Sequence, residues 1–401
     1  MPTPSLTLVA YTHFGARGLK GIGMYHLAKE AWRRGWVRKV VAVSKSRCAY
    51  DFDLRLIDTL PGESRLISGL GKMKEKVWKA FPARWLSEMI FDRYAASRLT
   101  GPGEVLIATP RMAHTARTAK ALGYTTMLYG GACDPRYMLQ EIATERRMFT
   151  LQNNGDNGSR SWEMARFADH LEYSDYIVTG SEFAAGTYVQ YGFPKERIFV
   201  APLGVDLTRF SATPPPTEHC ITYLFVAHVD GTTGILKGLP YLLQAWCELK
   251  LEKAKLLVCG KIGQEVQGLI QRYQEQLHNV EFTGPVSNIA EYYRQASVFI
   301  FPSLAEGFGK VVLEAMASGR PVITTPILTC VVRDGIDGLV FPPRDGQALK
   351  DKMLHFYNHR DEIARAGANA SQQARRFTWD RYSRQIADIV AEVAATTEKR
   401  S

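Results

Sequence analysis

Two acids, Glu306 and Glu314, stand eight positions apart in the stretch AEGFGKVVLEAMASGRP, with Gly307, Phe308, Gly309 and Lys310 between them. A carboxylate pair could do acid–base work, but the neighbours point to a different use. The stretch lies between two apolar runs, SVFIFPS and PVITTP, which read as consecutive buried strands joined through a helix. That placement puts Glu306 in the strand-to-helix loop and Glu314 about one turn into the helix. Gly307 and Gly309 let a backbone approach a ligand with no Cβ in the way. A helix start offers free N–H groups and a positive dipole end, which suit an anion. The acids cannot hold that anion. They suit hydroxyls, since a carboxylate accepts two hydrogen bonds from a vicinal diol. A diphosphate between two polyols, as in a nucleotide-sugar, fits all these groups. An ordinary turn with one capping acid and one surface acid fits the bare spacing equally well, so the rest of the chain must decide.

A second candidate opens at FVAHVDGTTGILKGLPYLLQAW, where a strand leads to Lys237-Gly238 and a helix with Pro240 in its first turn. A lysine at that place can neutralise a phosphate. A third lies in RGLKGIGMYHLAKEAW, where Gly18, Gly21 and Gly23 sit between the first strand and the first helix. The loop suits a phosphate, but it does not match G-x-G-x-x-G and no acid ends the second strand, which disfavours a dinucleotide fold.

These groups need a scaffold, and the chain supplies strand–helix alternation twice. SLTLVAY, VRKVVAVS, EVLIAT, TTMLYGG, SDYIVTG and RIFVAP are the strands of the first half. ITYLFVAHV, KLLVCG, VEFTG, SVFIF, PVITT and GLVFPP are those of the second. Helices are expected between them, including residues 239–250, 264–277, 288–295, 310–318 and 346–357. The Pro- and Thr-rich stretch 204–220 reads as a linker. The expected organisation is therefore α/β, with one doubly wound domain over 1–203 and another over 221–377. A final helix at about 378–395 is expected to pack back on the first domain. With 401 residues, two cores are the default.

At this point the chain resembles glycosyltransferase family 4, the retaining enzymes of GT-B fold that use nucleotide-sugars. EGFGKVVLEAMASGRPVITT looks like the family's paired-glutamate motif. VTGSEFAAGTYVQYGFPKERIFVAPLGVDLTRF resembles the segment ending its first domain, and FTGPVS, DGIDGLVFPP and FTWDRYSRQI match later landmarks. The resemblance implies that Glu306 contacts the hydroxyls of the donor sugar and Glu314 those of the ribose. It implies that the backbone of Gly307, Phe308 and Gly309 holds sugar and phosphate, that Lys237 meets the diphosphate, and that Gly21 and Gly23 face it from the other domain. Two departures stand out. Where the family usually has Gly-Arg, this strand ends Ala227-His228, which shifts phosphate binding toward Lys237 and Lys310. In LYGGACDPRYMLQEIATERRMF, Asp134 falls where the family carries a histidine near the reacting sugar; His114 is a nearby alternative.

The resemblance implies sugar transfer to a hydroxyl of a glycan or lipid-linked acceptor, in cell-surface polysaccharide or glycolipid synthesis. A weakly active donor-binding partner subunit and an epimerase or phosphorylase on the same fold are the alternatives. The family needs no metal to hold the diphosphate, and no metal or other cofactor is expected. Asp51-Phe52-Asp53 forms a D-x-D but precedes no Gly-rich loop. Net charge is +10, with 46% hydrophobic and 22% charged residues, as suits a globular protein with an anionic ligand; no nucleic-acid partner is expected. No C-x-x-C occurs among the six cysteines, so reduced thiols are expected. Neither a signal peptide nor a membrane span is expected, and the reading is cytoplasmic. The basic, aromatic stretch at about 72–94 could lie on an anionic membrane surface.

Overall fold

The computed structural model describes residues 4–14, 21–45, 52–61, 83–101, 105–151, 157–216, 220–229 and 233–398. Seven parallel strands form a first sheet: β1 (Leu6–Phe14), β2 (Val37–Lys45), β3 (Ile57–Thr59), β4 (Val105–Ala108), β5 (Thr125–Tyr129), β6 (Tyr176–Thr179) and β7 (Ile198–Val200). Six more form the second: β8 (Ile221–Val226), β9 (Ala254–Cys259), β10 (Val280–Gly284), β11 (Val298–Phe301), β12 (Val322–Thr324) and β13 (Gly338–Val340). The strand orders are β3-β2-β1-β4-β5-β6-β7 and β10-β9-β8-β11-β12-β13. Each sheet thus reverses direction once, at β1/β4 and at β8/β11, where a crevice opens beyond the carboxyl ends.

The strands are continuous apolar runs because helices cover both faces. In the first half these are α1 (Ile22–Arg33), α2 (Ala83–Ser97), α3 (Ala113–Ala121), α4 (Pro135–Met148), α5 (Asn157–Glu172) and α6 (Glu182–Gln190). The second half has α7 (Leu239–Leu249), α8 (Gln264–Tyr273), α9 (Ile289–Gln295), α10 (Lys310–Ala317), α11 (Gly346–Asn358) and α12 (Asp361–Ala374). Then α13 (Trp379–Glu398) returns to the first sheet: Tyr382, Ile386 and Val390 join the core built by β1 and α1, and Trp379 stacks on His26. Sequence reading missed α12. Its sequence DEIARAGANASQQA is rich in small and polar residues, and it packs through Gly367, Ala370 and Ala374.

The chain crosses between the halves twice, side by side. Val205 on the outward passage donates its N–H to the Phe377 carbonyl on the return at 3.0 Å. A Cβ at Gly204 would overlap the Trp379 backbone, so the two passages lie in direct contact. A second join is made by α4. Its Met138 and Ile142 belong to the core of the second half. Arg344 pairs with Glu141 and Glu145 of this helix at 2.5 and 2.7 Å, and Arg146 pairs with Glu265 at 2.5 Å.

Among the described residues no helix is long and apolar enough to cross a membrane. The first part of the basic stretch 72–94, up to residue 82, lies outside the described residues. The part within them, from Ala83, is the start of α2, whose Phe91 and Glu88 are buried. Cys133, Cys220, Cys247, Cys259 and Cys330 are unpaired thiols; Cys48 lies outside the described residues.

Candidate active site

Lys237 and Glu306 both leave the second sheet at its reversal point. After β8 the chain makes one 3-10 turn, Gly234–Lys237, and then Gly238 (φ +77°) swings it into α7. Only glycine fits there, because a Cβ would overlap the Pro302 carbonyl as well as strain the left-handed backbone. After β11, Leu304 donates its N–H to the Leu236 carbonyl at 2.8 Å, and the Ser303 hydroxyl donates to the same oxygen at 3.1 Å. These bonds lay the two loops alongside each other. Lys237 Nζ then forms an ion pair with Glu306 Oε2, with side chains 23% and 18% exposed.

Gly309, also left-handed at φ +77°, precedes α10 with no side chain capping it. The helix start therefore keeps the anion-binding character of an uncapped N-terminus. Lys310 Nζ lies 3.3 Å from Glu314 Oε1. Glu314 is buried, and the Tyr293 hydroxyl donates to its Oε2 at 3.3 Å. Burial pushes the Glu314 carboxyl above the ordinary carboxylate value, against the pull of Lys310. His228 is exposed at the end of β8, and its Nδ1 accepts from the Lys261 N–H at 3.3 Å.

The loop holding Glu306 to Gly309 is docked against the first half. A Cβ at Gly307 would overlap the Gly131 carbonyl, and one at Gly180 would overlap Phe308. The Ser181 hydroxyl donates to the Gly307 carbonyl at 2.8 Å, and the Cys133 thiol to the Glu306 carbonyl at 3.5 Å. Gly307 was expected to make room for a ligand. In the structure it makes room for the backbone of the facing half. Beyond this contact a cavity of about 280 Å³ opens at the β1/β4 reversal point, lined among others by Gly23, Arg111, Tyr129, Phe308 and Tyr382.

The structure brings Lys237, Glu306, Gly307, Phe308, Gly309, Lys310 and Glu314 to one edge of the cleft, and Gly23 to the other. Gly21 caps α1 and accepts from the Tyr25 N–H at 2.8 Å; Gly18 lies outside the described residues. At Gly23 a Cβ would overlap the Tyr129 hydroxyl, so this glycine admits a tyrosine to the cavity wall.

Asp134 is a correction. It is fully buried as the N-cap of α4, where it accepts from the Arg136 N–H at 2.8 Å and pairs with the Arg136 guanidinium at 2.7 Å. Its carboxylate is thus consumed by a helix start, and the cleft wall at this point is Gly130, Gly131 and Ala132. His114 is exposed on α3. Asp53 is paired with Arg55 at 2.8 Å, while Asp51 lies outside the described residues. Among the described residues no group of three His, Cys, Asp or Glu could hold a metal.

Sequence reading missed Arg111, Tyr129 and Tyr382. The available signal was position: Arg111 and Tyr129 lie at the carboxyl ends of β4 and β5.

Residues 222–359 match the family model described as "Glycosyl transferases group 1". The D-inositol 3-phosphate glycosyltransferase of Corynebacterium urealyticum is 27% identical over 64% of this chain and 67% of its own length. That of Streptomyces coelicolor is 33% identical over 57% of each. The chain therefore spans little more than half the length of several curated relatives it matches. Among solved structures, the sucrose-phosphate synthase of Thermosynechococcus elongatus superposes with a TM-score of 0.68 at 18% identity, covering 98% of this chain and 100% of that one. Anabaena HepE in complex with UDP-glucose gives 0.66 at 14% identity, covering 97% and 99%. The fold is GT-B, two parallel sheets facing across a cleft as in that synthase, and the segment that carries Lys237, Glu306 and Glu314 is the part of the chain that matches the group 1 glycosyltransferase model.

Proposed function

We propose that this protein moves a sugar from a nucleoside diphosphate donor, a UDP- or GDP-sugar, to a hydroxyl of a glycan or lipid-linked acceptor. The anomeric configuration is kept, and the product belongs to a cell-surface polysaccharide or glycolipid. The observation that carries this reading is the pairing of Lys237 with Glu306 at the reversal point of the second sheet, beside an uncapped helix start. Without donor the two side chains neutralise each other. With donor, each is exchanged onto the group it suits. Lys237 and the start of α10, with Lys310 nearby, take the diphosphate, and His228 lies at the same sheet edge. Glu306 takes the sugar hydroxyls, with the backbone of Gly307, Phe308 and Gly309 closing over sugar and phosphate. Glu314 takes the ribose diol. As the glycosidic C–O bond to the diphosphate breaks, the acceptor oxygen bonds the anomeric carbon on the same face. Its proton passes to the departing phosphate oxygen, and the developing charge is met by Lys237 and the helix dipole.

A thermal-shift series with UDP-, GDP- and ADP-glucose tests the donor half of this reading. One base is expected to stabilise the protein by about 2.7 kcal/mol at a hundred times its Kd. No shift with any of the three at millimolar concentration would overturn it.

Glu314 gives this binding a pH dependence. The ionised carboxylate accepts the ribose hydroxyls, and burial raises its pKa above the ordinary 4.5. Held charged in the folded protein at neutral pH, it lowers stability there and ceases to do so as the pH falls through its raised pKa. Donor affinity runs the other way: it weakens as the pH falls, beginning above 4.5. Glu314→Gln is expected to bind more weakly and to lose that slope in a Kd-against-pH titration. An unchanged slope in the variant removes Glu314 from the ribose site.

A second reading is a donor-binding subunit with weak transfer of its own. It is favoured by the cleft wall at Gly130, Gly131 and Ala132, which presents no acid or base opposite Glu306. UDP release that rises only when an acceptor is added separates the transferase from this alternative.

A further inference from the structure

The first sheet has its own reversal point, between β1 and β4, and the cavity of about 280 Å³ opens directly beyond it. Arg111, three positions past the end of β4, is its only charged lining residue among the described ones. We infer that Arg111 holds the acceptor: its guanidinium donates hydrogen bonds to acceptor oxygens, hydroxyl or phosphate, and so selects the hydroxyl that faces the donor sugar. This rests on the transferase reading above.

The guanidinium is fixed by hydrogen bonds on one edge and only loosely ion-paired, with Glu163, on the other. Nε and Nη2 donate to the two carboxylate oxygens of Glu88, each at 2.9 Å, and the Glu88 side chain is 0% exposed. A planar fork bound this way has one orientation. Nη1 lies 3.8 Å from Glu163, beyond hydrogen-bond reach, and the side chain remains 20% exposed. The outer N–H groups of Arg111 have no hydrogen-bond partner among the described residues.

The backbone adds an independent observation. Arg111 has φ +74°, a left-handed conformation that a long side chain rarely adopts. Arg166 pins it there by donating to the Arg111 carbonyl at 2.8 Å while gripping Asp92 at 2.5 Å. Asp92 in turn accepts from the N–H groups of His114 and Thr115 at 2.9 and 2.8 Å. An arginine kept in an unfavourable conformation by its surroundings, at the mouth of a cavity, is a mark of function rather than of packing. The opposite wall carries Tyr129 and Tyr382, whose hydroxyls bond each other at 2.9 Å. Aromatic rings with a few fixed polar groups suit a ring with one apolar face and a hydroxylated edge. The volume lies near the lower end of small-molecule sites, roughly 300 Å³, which fits one polyol ring rather than a long chain.

The test uses UDP-glucose as donor and, in separate arms, D-glucose and D-inositol 3-phosphate as acceptor probes. Arg111→Lys keeps the charge and loses the fork. The double variant Arg111→Gln with Glu88→Gln leaves no buried carboxylate unpaired, so it keeps the test valid if the single variant misfolds. Both are expected to raise the acceptor KM about tenfold or more, while acceptor-free hydrolysis of UDP-glucose and its thermal shift stay as in the wild type. A loss confined to the phosphorylated probe assigns phosphate as the recognised oxygen, and a loss with D-glucose assigns hydroxyls. The inference is overturned by an unchanged acceptor KM, by an equal loss of donor affinity, or by a wild-type protein whose UDP release neither probe raises. A wild type that UDP-glucose does not stabilise, with GDP- and ADP-glucose equally silent, refutes the transferase reading instead.

Discussion

Glu306→Ala is expected to lower the rate of sugar transfer by about 10²–10³-fold, the usual effect of removing one group aimed at the reacting centre, while the protein stays folded. The two effects separate because of where the carboxylate sits. It is 18% exposed and its partner Lys237 is 23% exposed, so a lysine left alone still reaches water, and the lost pair costs about 1 kcal/mol or less. Glu306→Gln makes a sharper test. The amide still bonds sugar hydroxyls but no longer holds the Lys237 charge. Lys237 is then free for the diphosphate before any donor arrives. This variant should bind UDP several-fold more tightly than the wild type yet transfer more slowly. Calorimetry of UDP binding and initial transfer rates read the two effects separately. Wild-type turnover in Glu306→Ala would remove the residue from the donor site, and weaker UDP binding in Glu306→Gln would show that the pair is not exchanged on binding.

Gly307→Ala should be nearly as damaging, for a different reason. The new methyl would overlap the Gly131 carbonyl and crowd the Ala132 Cα, both backbone atoms of the facing half that cannot turn aside. The loop must then draw back, carrying Glu306 with it. A displacement on the order of 1 Å at a reacting centre costs about 10²-fold in rate. Each sheet keeps its core, so the circular dichroism spectrum should not change, whereas X-ray scattering should report a more open particle. Gly131→Ala is the matched control: the same methyl on the other side of the contact meets nothing within 4 Å, and its activity should stay close to wild type. Equal activities for the two variants would mean that the halves need not touch at this point for transfer.

Much of the scaffold is legible in the chain because buried parallel strands are continuous apolar runs, and the helices between them keep their period. The helix Asp361–Ala374 escapes that reading because, apart from Ile363, its packed face is made of small and polar residues rather than large apolar ones. At the site, several residues carry a local signature: Gly309 before a helix with Glu306 and Glu314 on either side of it, and Lys237 after a strand. Gly307 was recognised as a position that must lack a side chain, but the object it clears is another part of the same chain, and pairing across 176 positions has no local trace. Asp134 was placed by analogy with a histidine in similar proteins. Its own neighbours carried a better signal, since Asp followed by Pro135 is how a helix begins. Arg111 has no motif at all. What marks it is a backbone angle and a buried carboxylate from another helix, neither of which is encoded nearby.

The two passages of chain between the halves run in contact, at Gly204 and Val205 on one side and Phe377 to Trp379 on the other. The whole second sheet lies between them, and the closing helix stays with the first sheet. The second half can therefore be exchanged between related proteins as one cassette through this seam, provided that its partners on the helix Pro135–Met148 are matched as well: Met138 and Ile142 in its core, Glu141 and Glu145 for Arg344, and Arg146 for Glu265. Such a graft keeps its footing only if both cuts are made together and Gly204 is retained opposite the Trp379 backbone. A hybrid cut once, with the last helix taken from the incoming partner, would instead have to rebuild the packing of Trp379, Tyr382 and Ile386 on the first sheet.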